Sequence, residues 1–158
     1  MRPGAGCVKG GSVAVDIAAP VGRVFNFVTD PAHFNELMPG VVFSGVDITP
    51  AGVGTTYRFA TRVIGIAVRG SGEFTEFQAD RHIHDETSIA MEGSFDWWFE
   101  PHGEGVRVTI AHHPGRFWNL PVVGRLIADS YLRADRQMLE RLKSTLEVAA
   151  PRKRGGTS

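Results

Sequence analysis

The chain has 158 residues, with 17 basic and 17 acidic side chains, 42% hydrophobic residues and one cysteine. That length suits a single domain with a core of its own. Balanced charge argues against a basic nucleic-acid groove, and a lone cysteine excludes an intramolecular disulfide or a thiolate zinc cluster.

Residues 1–11, "MRPGAGCVKGG", read as a flexible N-terminus; Cys7 lies there without the fixed electropositive pocket a nucleophile needs. "SVAVDIAAP" (12–20) alternates, with Val13, Val15 and Ile17 on one face, which predicts a strand stopped by Pro20. "PVGRVFNFVTD" changes to the helical spacing of Val21, Val24, Phe25 and Val28, with Pro20 suited to a first helical position and Asp30-Pro31 closing the segment. "PAHFNELM" predicts a second short helix before Pro39-Gly40. The period then becomes two, and strands are predicted near 41–48, 55–64, 67–78, 81–90, 94–100 and 105–112. Their short connections predict an antiparallel meander rather than βαβ units.

Residues 119–150 read as one long helix. Ile127, Ala134, Met138, Leu142 and Leu146 form an apolar stripe; Arg125, Asp129, Arg133, Arg136, Glu140 and Glu147 form a polar side, with Asp129 and Arg133 as an i,i+4 pair. The tail, "PRKRGGTS" (151–158), holds Arg152, Lys153 and Arg154 without an acid and reads as disordered and solvated. Residues 12–150 thus make the whole domain. No stretch resembles a signal peptide and no apolar run approaches the ~20 residues of a membrane span, so a soluble cytoplasmic protein without stable membrane insertion is expected.

The order of elements, with "AAPVGRVFNFVTDPAHFNELMPGV", "GVGTTYRF", "GEFTEFQADR", "WWFEPHGEGVRVTI" and "LERLKSTLE", resembles the START-like helix-grip superfamily. Within it the chain is most similar to the polyketide cyclase/dehydrase and lipid-transport group, over roughly residues 12–148. Where many relatives carry a tryptophan before Pro-Gly-Val, this chain has Leu37-Met38. The resemblance implies an α+β helix-grip fold: a seven-stranded curved antiparallel sheet around a long C-terminal helix, with two short helices after the first strand. It also implies an internal apolar cavity that takes lipids, sterols, polyketides or hormones, or in some members catalyses cyclisation or dehydration. Fold likeness alone does not choose among these.

Strand parity supplies the candidate lining. Phe95, Trp97 and Phe99 share a face; so do Val106, Val108, Ile110 and His112, and so do Tyr57, Phe59, Thr61 and Val63. These rows are expected to face Ile127, Tyr131, Ala134 and Met138 of the long helix. Phe117 and Trp118, in the connection to that helix, either gate the cavity or plug the end of the core. An empty cavity of about 500 Å³ would cost on the order of 10 kcal/mol, so such a space must hold ligand, water or mobile side chains.

"RHIHDE" (81–86) raises the question of metal binding, since His82 and His84 share one strand face. Only Ile83 is apolar, which predicts Ile83, Arg81 and Asp85 inside, with His82, His84 and Glu86 turned to solvent. A zinc site would need a third ligand, which His112 cannot supply from the opposite face, so no metal and no cofactor are expected. His113-Pro114-Gly115 is expected to leave the strand, and outward-facing Trp98 would serve a homodimer contact. No G-x-S-x-G, phosphate loop, C-x-x-C or H-E-x-x-H occurs. The leading expectation is a protein that binds a small hydrophobic molecule, with Tyr57, Asp85 and His112 as the polar groups at hand. A cyclase or aromatase using the same cavity, and a non-catalytic interaction module with a filled core, remain the alternatives.

Overall fold

The computed structural model describes residues 11–63, 65–88, 93–115 and 123–148. Strand β1 (Ser12–Ile17) leads into helix α1 (Val21–Val28), a 3-10 turn (Pro31–His33) and helix α2 (Phe34–Leu37). Strands β2 (Val41–Asp47), β3 (Thr56–Val63), β4 (Ile66–Gln78), β5 (His82–Ser88), β6 (Gly93–His102) and β7 (Gly105–Pro114) follow, then helix α3 (Val123–Val148). All seven strands form one antiparallel sheet in the order β1-β7-β6-β5-β4-β3-β2, so β1 closes onto the end of a meander. Among the described residues no helix is long and apolar enough to cross a membrane.

The apolar stripe of α1 buries Val24, Phe25 and Val28, and the Phe25 ring meets Phe99 edge-on at 5.0 Å and Phe77 at 5.2 Å. Pro20 caps α1 from outside rather than occupying its first turn, because its backbone stays extended. Asp30 caps the next turn by accepting a hydrogen bond from the Ala32 amide at 2.9 Å. Leu37, the last residue of α2, is fully buried.

In α3, Met138, Leu139, Leu142 and Leu146 are buried, and the helix packs chiefly along β1 and against α2. Two polar ties fix its C-terminal half to β1 and the residue after it: Lys143 Nζ donates to the Asp16 carbonyl at 2.6 Å, and Glu147 Oε1 accepts from the Ala18 amide at 2.9 Å. The expected Asp129–Arg133 side-chain pair is replaced by a bond from Arg133 Nε to the Asp129 carbonyl at 3.3 Å.

Strand β7 differs from its expected end. It continues through His113 and Pro114, which pair with Ser94 and Gly93 of β6. The amide of His112 donates to the Gly11 carbonyl, on the β1 side, so the amide that Pro114 lacks, two residues on, would point away from β6. Arg81 also departs from expectation. Asp80, at φ 59°, turns the chain just before β5 and leaves Arg81 exposed instead of sharing the face of Ile83.

Candidate ligand-binding site

Among the described residues, a run of polar and aromatic side chains crosses the inner face of the sheet from β3 to β7, stepping along the strands between Tyr57 and Asp85. Tyr57 on β3 begins it. Opposite Tyr57 in register stands Gly72 of β4, where any Cβ would strike the Tyr57 ring. Glycine there lets the phenol lie over β4 and reach β5. Its Oη donates to Asp85 Oδ2 at 2.6 Å, with both residues buried. Asp85 Oδ1 has no hydrogen-bond partner among the described residues. Burial strips water from the Asp85 carboxyl and pushes it up to about 7, against the opposing pull of the Tyr57 hydrogen bond and of His84. Burial, with the neighbouring carboxylate, pushes the Tyr57 phenol well above its ordinary range.

Across the sheet, Asp85 stands opposite Phe95, and Phe95 opposite His112. The rings of Phe95 and His112 lie 4.1 Å apart, and Tyr131 of α3 meets His112 edge-on at 4.9 Å. His112 Nδ1 is 3.7 Å from Oδ2 of Asp135, a carboxylate buried on α3. Burial, and then the charge of Asp135, raises the Tyr131 phenol. An acid–phenol pair therefore ends the row on the β3 side, an imidazole–acid pair ends it under the helix, and one aromatic ring lies between.

The predicted lining divides in two. Tyr57, Asp85, Phe95, His112 and Tyr131 join this row; Phe59 lies beside Tyr57 on β3 with ring centroids 6.4 Å apart, and Ala134 is half-buried next to Asp135. Trp97, Phe99, Ile110 and Met138 are packed into the core instead: Trp97 stacks on Phe34 at 5.9 Å, and Phe99 closes on Phe25. Phe117 and Trp118 lie outside the described residues, as does the side chain of Ile127.

Sequence reasoning missed Asp135 and Gly72. An acid at 135, spaced i+4 from Tyr131 and i−4 from Leu139, was the available signal for the first. Nothing in the sequence distinguishes Gly72 from the chain's other glycines.

The outer face corrects a second expectation. His82 and His84 do face away from Ile83 and Asp85, but His82 is buried and His84 only partly exposed. His82 is buried at 4% exposure because Trp98, its partner in register, stacks on the imidazole at 3.9 Å. Both histidines converge on Asp96 of β6, and His113 of β7 reaches the same carboxylate.

A seven-stranded antiparallel sheet curved about a long C-terminal helix, with two short helices after its first strand, is the START-like helix-grip fold. The chain belongs to the polyketide cyclase / dehydrase and lipid transport family, which matches residues 11–147. No curated protein matches the sequence significantly. Among solved structures it is similar to TTHA0849 from Thermus thermophilus, with 20% identity and a TM-score of 0.70 over 90% of this chain and 99% of that one. It is similar also to the di-domain ARO/CYC StfQ from the steffimycin biosynthetic pathway, at 17% identity and a TM-score of 0.69, covering 88% of this chain and 51% of that one. A third is the Aha1 dimer from Colwellia psychrerythraea, at 14% identity and 0.64, covering 89% and 98%. At these identities the likeness establishes the fold.

Proposed function

We propose that the protein binds a small hydrophobic molecule bearing a neutral oxygen function, between the inner face of the sheet and the N-terminal half of α3, and serves as its cytoplasmic carrier or sequestering protein. The observation that carries this reading is the Asp85–Tyr57 pair. A carboxyl taken out of water costs stability unless all its hydrogen bonds are made, yet here one oxygen is held by a phenol and the other is left without a partner among the described residues. In an apolar site a few placed polar groups fix the orientation of a ligand. Asp85 Oδ1 would accept from a ligand hydroxyl when ionised and donate to a ligand carbonyl when protonated. Phe43, Phe59, Phe95 and Tyr131, each only partly buried, would supply the apolar walls, while α3 stays anchored along β1.

The phenol–carboxyl pair also favours a second reading, a cyclase working in the same space. There Asp85 would take the proton next to a ketone of a folded chain and Tyr57 would hold the carboxyl in place.

Binding of 2-tridecanone, 2-tridecanol and tridecane, followed by calorimetry, tests the first reading. The ketone and the alcohol should bind at least about tenfold more tightly than the hydrocarbon, roughly 1.4 kcal/mol, and Asp85→Leu should erase that difference. Equal affinity for all three would overturn the anchoring role. Turnover of a poly-β-ketone that falls by about 10²–10⁴ in Asp85→Asn, with affinity retained, would establish the second.

A further inference from the structure

His82 Nε2 and His84 Nδ1 both lie on Asp96 Oδ1, at 2.7 and 2.8 Å. One donor atom from each of these three residues falls within 4.8 Å of the other two. They come from adjacent strands: β5 places His82 and His84 on one face by its two-residue period, and β6 sets Asp96 opposite His84. His113 Nε2 holds the other oxygen of Asp96 at 2.6 Å. We propose that His82, His84 and Asp96 form a binding site for a zinc-type divalent cation on the outer face of the sheet, with the fourth position open to water.

The surroundings of each imidazole support this assignment. A ligating histidine usually turns its second ring nitrogen to a carboxylate, which fixes the tautomer and strengthens the ligand. His82 Nδ1 faces Glu76 Oε2 at 3.8 Å, and His84 Nε2 faces Glu86 Oε1 at 3.8 Å. The buried His82 Nδ1 makes no closer polar contact among the described residues. Trp98, stacked on His82, fixes the plane of that ring. With the proton of His82 on Nδ1 and that of His84 on Nε2, both inner nitrogens present lone pairs, and three carboxylates offset the charge of a dication. Zinc–ligand bonds of about 2.0–2.1 Å in a tetrahedron require ligand atoms roughly 3.3 Å apart. The present 2.7–2.8 Å separations therefore open by about half an ångström when an ion enters. Two imidazoles and one carboxylate suit zinc and its neighbours in the first transition row rather than magnesium or calcium. Such an ion would join β5 to β6 at the residues next to Asp85 and Phe95, without touching the inner site.

The test is a titration of Zn²⁺ into tag-free, chelator-treated full-length protein, followed by calorimetry and melting temperature, with Co²⁺ absorption reporting the coordination geometry. One equivalent should bind with micromolar or tighter affinity and raise the melting temperature. His84→Gln and Asp96→Asn should each weaken binding at least about a hundredfold. Glu76→Gln, at an exposed position where folding is not at stake, should weaken it about tenfold or more. His102→Gln, away from the cluster, should leave affinity unchanged. Absence of binding below millimolar Zn²⁺, or binding that persists undiminished in folded His84→Gln and Glu76→Gln proteins, would overturn the proposal.

Discussion

The phenol of Tyr57 on β3 donates a 2.6 Å hydrogen bond to the carboxyl of Asp85 on β5, passing over the intervening strand. Gly72 makes the passage possible, since a side chain there would occupy the place of the ring. Gly72→Ala should force Tyr57 off its position, cost about 1–3 kcal/mol by overpacking, and break the bond to Asp85. Thermal melting measures the cost. A variant as stable as the parent would mean that the ring has room to move.

Tyr57→Phe isolates the hydrogen bond from the packing, because the ring remains. It leaves Asp85 Oδ2 buried without its donor, which should cost about 1–3 kcal/mol near neutral pH. Denaturant unfolding with an unchanged slope would register this as a shift in midpoint alone.

The raised Asp85 carboxyl makes stability depend on pH. The group titrates at about 7 in the folded chain, against roughly 3.9 when unfolded. Below about pH 4 both states hold the proton, and the contribution of Asp85 to stability is fully present. Between about 4 and 7 the unfolded state ionises first, so stability falls as pH rises, by on the order of 4 kcal/mol in all, and then levels off. The groups acting on Asp85 are Tyr57, through its hydrogen bond, and the nearby charges of His84 and Glu86. Asp85→Asn keeps an acceptor for Tyr57 and removes the titration. Relative to the parent it should therefore gain stability from about pH 5 to about pH 8. A difference in melting temperature that stays flat over that range would contradict the assignment.

The other end of the row can be tested by a double-mutant cycle. His112 and Asp135 face each other at 3.7 Å out of water, so His112→Gln and Asp135→Asn should not add. A coupling of roughly 0.5–3 kcal/mol is expected from chemical denaturation, and strict additivity would mean the two act independently.

Much of this arrangement was legible in the sequence. Alternation located the strands, and it placed Phe95, Trp97 and Phe99, and Val106, Val108, Ile110 and His112, on the inner face. One apolar residue, Ile83, was enough to set the parity of β5 and so to turn Asp85 inward. What parity cannot supply is which residues meet across strands. Tyr57 and Asp85 lie 28 residues apart and are joined by sheet register together with a side chain that Gly72 lacks. The histidines of "RHIHDE" show their direction in the sequence, but not Trp98 covering one of them, nor Asp96 gathering both. Those contacts come from β6, whose register with β5 is not written in either strand alone. His113 escaped for a related reason: its proline neighbour reads as a strand breaker, but the amide that proline lacks falls on the side away from β6.

The central claim, that a small hydrophobic molecule occupies the interior beside Asp85, is tested most directly by native mass spectrometry of the protein isolated from its own cells, as the parent and as Ala134→Trp. Ala134 is half-buried on α3 next to Asp135, so an indole there should fill the space a ligand needs. The parent should carry a discrete additional mass, and Ala134→Trp should lose it while melting at nearly the parent's temperature. A parent without bound mass, together with an Ala134→Trp protein destabilised by about 1–3 kcal/mol, would show a packed interior and contradict the claim.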